Sequence, residues 1–468
     1  MRARSQGLYC NFHIALQRSG TALSETQFLA GAQDAPVIDS RRQIVFVSPF
    51  FYPELISTGK ANQHLAEAFV ATGHEVTVVC SHPLYPSWLP VSSEAEIGGV
   101  KILRGGAWVR YPKAMPLRRV VLEVWFAFYA LRRMWRLRTQ PDVVVSILPP
   151  SLFAFFLHAL LPRKVRRVAV VHDLQGVLAA QKQSLPRRAI IRLIHAVESR
   201  AFRSQDLCIF FSGDMARVAQ NAYRLDPARI AVQYPFVTLS RKRTSFGHPP
   251  VARRLIEMFP PEKLHVVYSG ALGFKQNSEQ LIAFMQAAAQ RHPELQFHVL
   301  SGGPFFDELS ARYQQLPGPR VQFHPLVAEQ DLEELYARSA IQVIPQADGT
   351  EAAALPSKLP NLLAAGVHLL AICNEDSEVG RLIQQARTGS IVEQWEQELF
   401  LTRLDEALEI VRSEPASARR ARVEPLLDLF SVANMVRLTI GEEATPEVVT
   451  VTGYEPEQEV TAARSGTR

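Results

Sequence analysis

The residues best suited to chemistry lie between Pro345 and Gly366, in the stretch PQADGTEAAALPSKLPNLLAAG. The apolar run AIQVIPQ reads as a strand, and the loop after it carries Glu351. Pro356-Ser357-Lys358 then opens an apolar helix with Asn361 on its first turn. A helix start offers unpaired backbone N–H groups and a positive dipole end, which suits an anion such as a diphosphate. Lys358 adds a cation, the Ser357 hydroxyl a further donor, and Asn361 an amide able to pair with a vicinal diol. An acid, an anion seat and a diol reader together describe a pocket for a nucleotide-sugar. The same residues also fit a helix capped by Ser357 with a solvated lysine beside it.

Other strand ends carry matching groups. In YSGALGFKQN, Gly270 and Gly273 allow close backbone approach, and Lys275 stands just before a helix, either placed to stabilise a departing diphosphate or simply solvated. Ser301-Gly302-Gly303-Pro304 forms a compact turn, with Gly302 as a wall of a base pocket. In the first half, His172 and Asp173 follow the strand VAVV and can orient or deprotonate an acceptor hydroxyl; a helix cap by Asp173 is the alternative. Gly59 ends the loop that follows the first strand and either admits a phosphate or serves as a plain turn glycine. No G-x-G-x-x-G fingerprint occurs and no acid ends the second strand, which weighs against a dinucleotide enzyme. No D-x-D and no His/Cys/carboxylate cluster with ligand spacing is present, so neither a metal nor another cofactor is expected.

The elements that must position these groups come in two series. At 468 residues the chain is too long for one ordinary core and predicts two domains of about 200 residues each. Residues 1–40 show no sustained periodicity and read as a flexible extension. Apolar strands and amphipathic helices alternate over 41–240, a basic and proline-rich stretch at 241–262 reads as a linker, and a second alternation fills 263–440. Residues 441–468 read as a disordered tail. Continuous apolar strands alternating with helices predict parallel sheets covered on both faces. The expected fold is therefore α/β, two Rossmann-like doubly wound domains, with a ligand cleft between the carboxyl ends of the sheets.

Charge is unevenly spread. The net charge is +6, yet Lys101–Gln205 alone carries twenty Lys/Arg against four acids. Positive charge concentrated in one domain implies an anionic partner. The same region holds LRRVVLEVWFAFYALRRMWRLR, where aromatics lie between arginines as in an interfacial helix, or as in a core helix with a basic outer face. No nucleic-acid recognition motif accompanies the charge. VVVSILPPSLFAFFLHALL is uncharged over nineteen residues, but Pro149-Pro150 breaks it into a strand, a turn and a helix. The four scattered cysteines read as reduced thiols of a cytosolic protein, and no apolar leader follows Arg2 and Arg4.

YPELISTGK, LAEAFVATGHEVTVVCSHPLYPSW, VVHDLQG, YSGALGFKQ, LSGGP and LPSKLPNLLAAG occur in the order found in family 4 glycosyltransferases of the GT-B fold. The chain resembles bacterial exopolysaccharide enzymes of the colanic-acid type over roughly residues 43–440. That resemblance implies retaining, metal-independent transfer from a GDP- or UDP-linked sugar to a lipid-linked saccharide. It places the enzyme in the cytoplasm, held peripherally to the inner leaflet of the inner membrane. It also implies a phosphate-binding role for Lys275, a diphosphate contact for Lys358 and a ribose-reading position for Asn361. The family's usual pair of glutamates would fall at Ala353 and Asn361, so the first acid is missing unless Glu351 replaces it. That departure keeps open a catalytically silent nucleotide-binding scaffold. A nucleotide-sugar epimerase of the same fold is a further alternative.

Overall fold

The computed structural model describes residues 41–442, except 55, 86, 181–187, 240–252, 319 and 351–354. The N-terminal extension, the tail from 443 onward, Glu351 and Ala353 lie outside the described residues.

Two parallel sheets form the frame. The first contains β1 (Gln43–Val47), β2 (Glu75–Ser81), β3 (Val100–Gly105), β4 (Val143–Leu148), β5 (Arg166–Val171), β6 (Leu207–Phe210) and β7 (Ile230–Val232), in the order β3-β2-β1-β4-β5-β6-β7. The second contains β8 (His265–Ser269), β9 (Gln296–Ser301), β10 (Gln322–Pro325), β11 (Ile341–Pro345), β12 (His368–Ile372) and β13 (Gly389–Val392), in the order β10-β9-β8-β11-β12-β13. Both follow the doubly wound pattern, with the chain reversing direction between β1 and β4 and between β8 and β11. Every residue of β4, β8, β11 and β12 is buried, which is why these strands read as mostly apolar runs without polar alternation.

The helices of the first half are α1 (Ser57–Ala71), α2 (Met115–Trp135), α3 (Leu152–Leu160), α4 (Gln175–Ala180), α5 (Arg188–Arg203) and α6 (Gly213–Tyr223). Those of the second are α7 (Arg253–Met258), α8 (Ser278–Arg291), α9 (Pro304–Tyr313), α10 (Leu332–Arg338), α11 (Leu359–Ala365), α12 (Glu378–Ala386), α13 (Gln397–Ser413), α14 (Ala416–Val423) and α15 (Val432–Ile440). The strands among the described residues fall within the two alternations, 41–240 and 263–440, that the sequence predicts. Helix α6 was not predicted, although Ser212 caps it by accepting from the Met215 amide.

Two boundaries differ from the sequence reading. Helix α7 lies inside the expected linker, and Leu255 and Phe259 are buried in the core of the second half. Residues 253–259 therefore belong to the second half, and the rest of the expected linker up to 252 lies outside the described residues. At the other end, α15 leaves the second half and packs on α1. Arg42 Nη1 donates to the Ile440 carbonyl (2.7 Å) and Arg166 Nε to that of Thr439 (2.9 Å), capping the carboxyl end of α15 with two cations.

A charged pivot also joins the halves. Asp214 at the start of α6 accepts from the Glu378 amide (3.0 Å), and Glu378 at the start of α12 accepts from the Asp214 amide (3.2 Å). Arg381 bridges both carboxylates at 2.9 and 3.0 Å. Each carboxylate so satisfies a helix terminus of the opposite half.

Helix α2 buries Leu122, Phe126, Ala130 and Met134 and leaves Leu117, Val120, Val124, Phe128 and Trp135 exposed. Helix α3, which packs against both α2 and α5, adds exposed Phe156 and Leu160, and α5 adds Ile190 and Leu193. Among the described residues, no helix is long and apolar enough to cross a membrane.

Candidate functional site

A cleft of about 450 Å³ opens where the carboxyl ends of the two sheets face each other. The first half lines it with the start of α1, Tyr85, and His172-Asp173 after β5; the second half lines it with the exits of β8 and β11 and the start of α11. These are the crevices that doubly wound sheets leave at their switch points.

Lys358 sits at the N-cap of α11 and points under the cleft floor. Its Nζ donates to the carbonyls of Ser269 (3.1 Å) and Val343 (3.0 Å) and lies 4.3 Å from the centre of the Tyr268 ring. It thus ties together β8 and β11, the strands flanking the switch point. Burial without a carboxylate partner pulls its pKa down to about 7. An anion entering the cleft would favour the charged form.

Lys275 stands on the short turn Phe274–Gln276 after β8. Its Nζ pairs with Asp173 Oδ1 at 2.6 Å, across the cleft and 102 residues away in sequence. Both side chains remain about one-third exposed, open to exchange partners with a bound ligand. His172, next to Asp173, lies edge-on to Phe211, and its Nε2 is buried without a hydrogen-bond partner. Burial pushes its pKa down to about 3, so the ring is neutral at physiological pH.

The remaining sequence candidates divide. Ser357 and Gly270 line the cleft. Gly270 has φ +151°, a backbone state that L side chains rarely adopt, and its amide donates to the Leu300 carbonyl (3.0 Å). Gly273 and Gly302 are not on the cleft wall; Gly273 donates to Ser278 Oγ (2.7 Å), and Gly302 is exposed. Gly59 is neither a loop glycine nor a phosphate cradle. It lies inside the first turn of α1, where an added Cβ would meet Glu54 Cβ at 3.0 Å, so its missing side chain makes room for a buried carboxylate. Asn361 is also placed away from the cleft. Its Oδ1 accepts from the amides of Thr238 (2.8 Å) and Leu239 (3.3 Å), and its Nδ2 donates to Thr238 Oγ1 (2.8 Å). The amide expected to read a diol instead fastens α11 to the segment leaving the first half.

Several contributors were not singled out from the sequence. Lys60 and His64 on α1 grip Glu329 of the second half at 3.4 and 3.2 Å, lowering the Glu329 carboxyl to about 2. Tyr85, Gln346 and Thr350 complete the wall. The one local signal was Lys60 directly after Gly59; the pairing with Glu329 is invisible locally.

Comparison with known proteins agrees with this architecture. A model of Glycosyltransferase Family 4 matches residues 59–241, and one of Glycosyl transferases group 1 matches residues 254–422. WcaI of Escherichia coli (strain K12), whose name assigns it to glycosyl transfer in colanic acid biosynthesis, is 27% identical over 354 residues, 71% of this chain and 84% of that protein. The crystal structure of WaaG, a glycosyltransferase involved in lipopolysaccharide biosynthesis, superposes with a TM-score of 0.63 at 17% identity, covering 85% of this chain and 100% of WaaG. Sucrose-phosphate synthase from Thermosynechococcus elongatus gives 0.62 at 15% identity, covering 85% and 98%. Both share the two-sheet fold.

Proposed function

Because this chain belongs to the family 4 glycosyltransferases, we propose that it moves a sugar from a GDP- or UDP-linked donor to a lipid-linked saccharide, with retention of configuration and without a metal ion. The observation that carries this reading is the convergence of Lys275 and Lys358 on one cleft at the switch points of both sheets. Two cations and the Gly270 turn suit the diphosphate of a nucleotide-sugar. Lys358 gains full charge as the anion arrives, and Lys275 leaves Asp173 for the phosphate.

In the transfer, the bond from the anomeric carbon to the diphosphate oxygen breaks as the acceptor oxygen bonds to the same face. The acceptor proton passes to the departing diphosphate, so no strong protein base is required. The protein supplies position and electrostatics. Neutral His172 holds the cleft wall edge-on to Phe211, and Asp173, once free of Lys275, orients the acceptor. The exposed apolar residues of α2, α3 and α5, set among arginines, suit the inner leaflet of the inner membrane, where a lipid-linked acceptor resides. Synthesis of a cell-surface polysaccharide is the pathway class this fits, in line with the relative in Escherichia coli.

The direct test is release of nucleoside diphosphate from nucleotide-sugars in the presence of chelator and bacterial lipid extract. Release that depends on lipid supports the reading; its absence with every donor contradicts it. Asp173→Asn gives a sharper expectation. Removing the carboxylate that competes for Lys275 should raise nucleoside-diphosphate affinity roughly fivefold, the scale of a part-exposed ion pair. Transfer should fall by about tenfold through a misplaced acceptor. Titration calorimetry of both proteins checks this, and weaker binding by the variant would refute the exchange of partners.

A further inference from the structure

After β5 the chain reaches the cleft with His172 and Asp173 and turns at once into α4. An aspartate so close to a helix start commonly turns its carboxylate back onto the amide two residues on, here Gln175, and caps the helix itself. Asp173 does not. Its Oδ1 pairs with Lys275, and among the described residues no backbone amide donates to its carboxylate. The cap comes instead from Glu198 of α5. Glu198 Oε1 accepts from the Gln175 amide (3.0 Å), and its Oε2 accepts from the Gly176 amide (2.8 Å) and the Tyr223 hydroxyl.

The surroundings are shaped for this carboxylate. Glu198 is 2% exposed. A Cβ added at Gly176 would stand 2.7 Å from Glu198 Oε2 and 2.8 Å from Tyr223 Oη, so only glycine leaves the carboxylate its place. Burial raises the Glu198 pKa against the pull of Tyr223 and the two amides, and the nearby Asp173 carboxylate raises it further. That repulsion acts on both groups and favours Asp173 facing away from α4, toward the lysine of the opposite half. A second carboxylate provides the contrast. Glu123 of α2 accepts from the Ser151 (3.0 Å) and Leu152 (2.9 Å) amides at the start of α3, but no residue of that turn lines the cleft.

We propose that Glu198 is a positioning residue for the reaction. By taking the amides that Asp173 would otherwise cap, it keeps the Asp173 carboxylate in the cleft, paired with Lys275 until the diphosphate arrives and available to the acceptor afterwards. This rests on the nucleotide-sugar reading of the cleft and adds to it a residue that touches neither substrate. Glu198→Gln keeps the size but loses the charge and one acceptor oxygen, so Asp173 turns onto the Gln175 amide and leaves Lys275 unpaired. The result runs opposite to ordinary damage. Nucleoside-diphosphate binding should tighten by about threefold, because Lys275 has no partner to leave. Transfer should fall by about fivefold, because the acceptor loses its orienting carboxylate.

Calorimetry with GDP and UDP tests this in the full chain, Glu198→Gln, Asp173→Asn, the double variant and Glu123→Gln. Glu198→Gln should add nothing in the Asp173→Asn background, and Glu123→Gln should lower the melting temperature without changing nucleotide affinity. Weaker or unchanged binding by Glu198→Gln would overturn the proposal, as would full additivity with Asp173→Asn or an equal gain in Glu123→Gln. If Glu198→Gln folds poorly, Gly176→Ala, which presses the same carboxylate aside, replaces it. A crystal structure of the ligand-free variant should show Asp173 on the Gln175 amide; Asp173 still on Lys275 would overturn the proposal. Should none of these proteins bind a nucleotide, the transfer reading fails, and that crystal structure alone decides what Glu198 does to Asp173.

Discussion

Lys358→Ala should lower sugar transfer by about 10²-fold or more, the usual loss when a preorganised stabiliser of developing charge is removed. The side chain is already pinned between the Ser269 and Val343 carbonyls and the Tyr268 ring, so no reorganisation precedes its contact with the departing diphosphate. A pH signature should accompany it. With its pKa pulled down to about 7 by burial, Lys358 is mostly charged below that value and progressively neutral above it. Diphosphate binding favours the charged form and takes up a proton, so nucleotide affinity should fall as pH rises above about 7, by up to about tenfold per unit. The dependence should flatten in Lys358→Ala. Calorimetry between pH 7 and 9 and initial rates with a fixed donor measure both effects. Near-wild-type turnover would remove Lys358 from the chemistry.

Val124→Asp combined with Phe128→Asp should reduce adsorption to anionic vesicles by at least about 10²-fold. Both side chains point outward, 56% and 72% exposed, so the folded chain loses little packing when they change. Burying a valine and a phenylalanine in a bilayer interface is worth about 2 kcal/mol each, and two new carboxylates near an anionic surface add repulsion. Surrounding arginines alone cannot make up that loss, because surface attraction is screened by salt. Vesicle sedimentation reports the partition, and turnover of a short water-soluble acceptor should be unaffected. Undiminished adsorption would show that α2 is not the contact face.

What the sequence made legible was the frame. Fully buried parallel strands such as VVVSIL and HLLAI are apolar at all but one position, so they stand out without any partner in view. Helix α7 was not legible, because the six residues RRLIEM between proline-rich segments carry too little periodicity to outweigh a linker composition. Lys275 and Lys358 stand out in the sequence through the strand-to-helix turns that present them, and both line the cleft. The partners that give these lysines meaning were not, since Asp173 lies 102 residues from Lys275 and the Val343 carbonyl belongs to another strand. Asn361 shows the converse: a side chain suited to a diol by type is committed by the tertiary structure to Thr238, a contact 123 residues long that no local pattern encodes. Gly59 likewise reads as a phosphate turn until Glu54 is seen to fill the space beside it.

Nucleotide-sugar transfer at this cleft is tested most directly by metal-free thermal shifts of the purified chain with GDP, UDP, ADP and their common sugar conjugates. A clear stabilisation by one nucleotide family, lost in Lys358→Ala, is the expected result and names the base. Silence across the whole panel would contradict a working donor site.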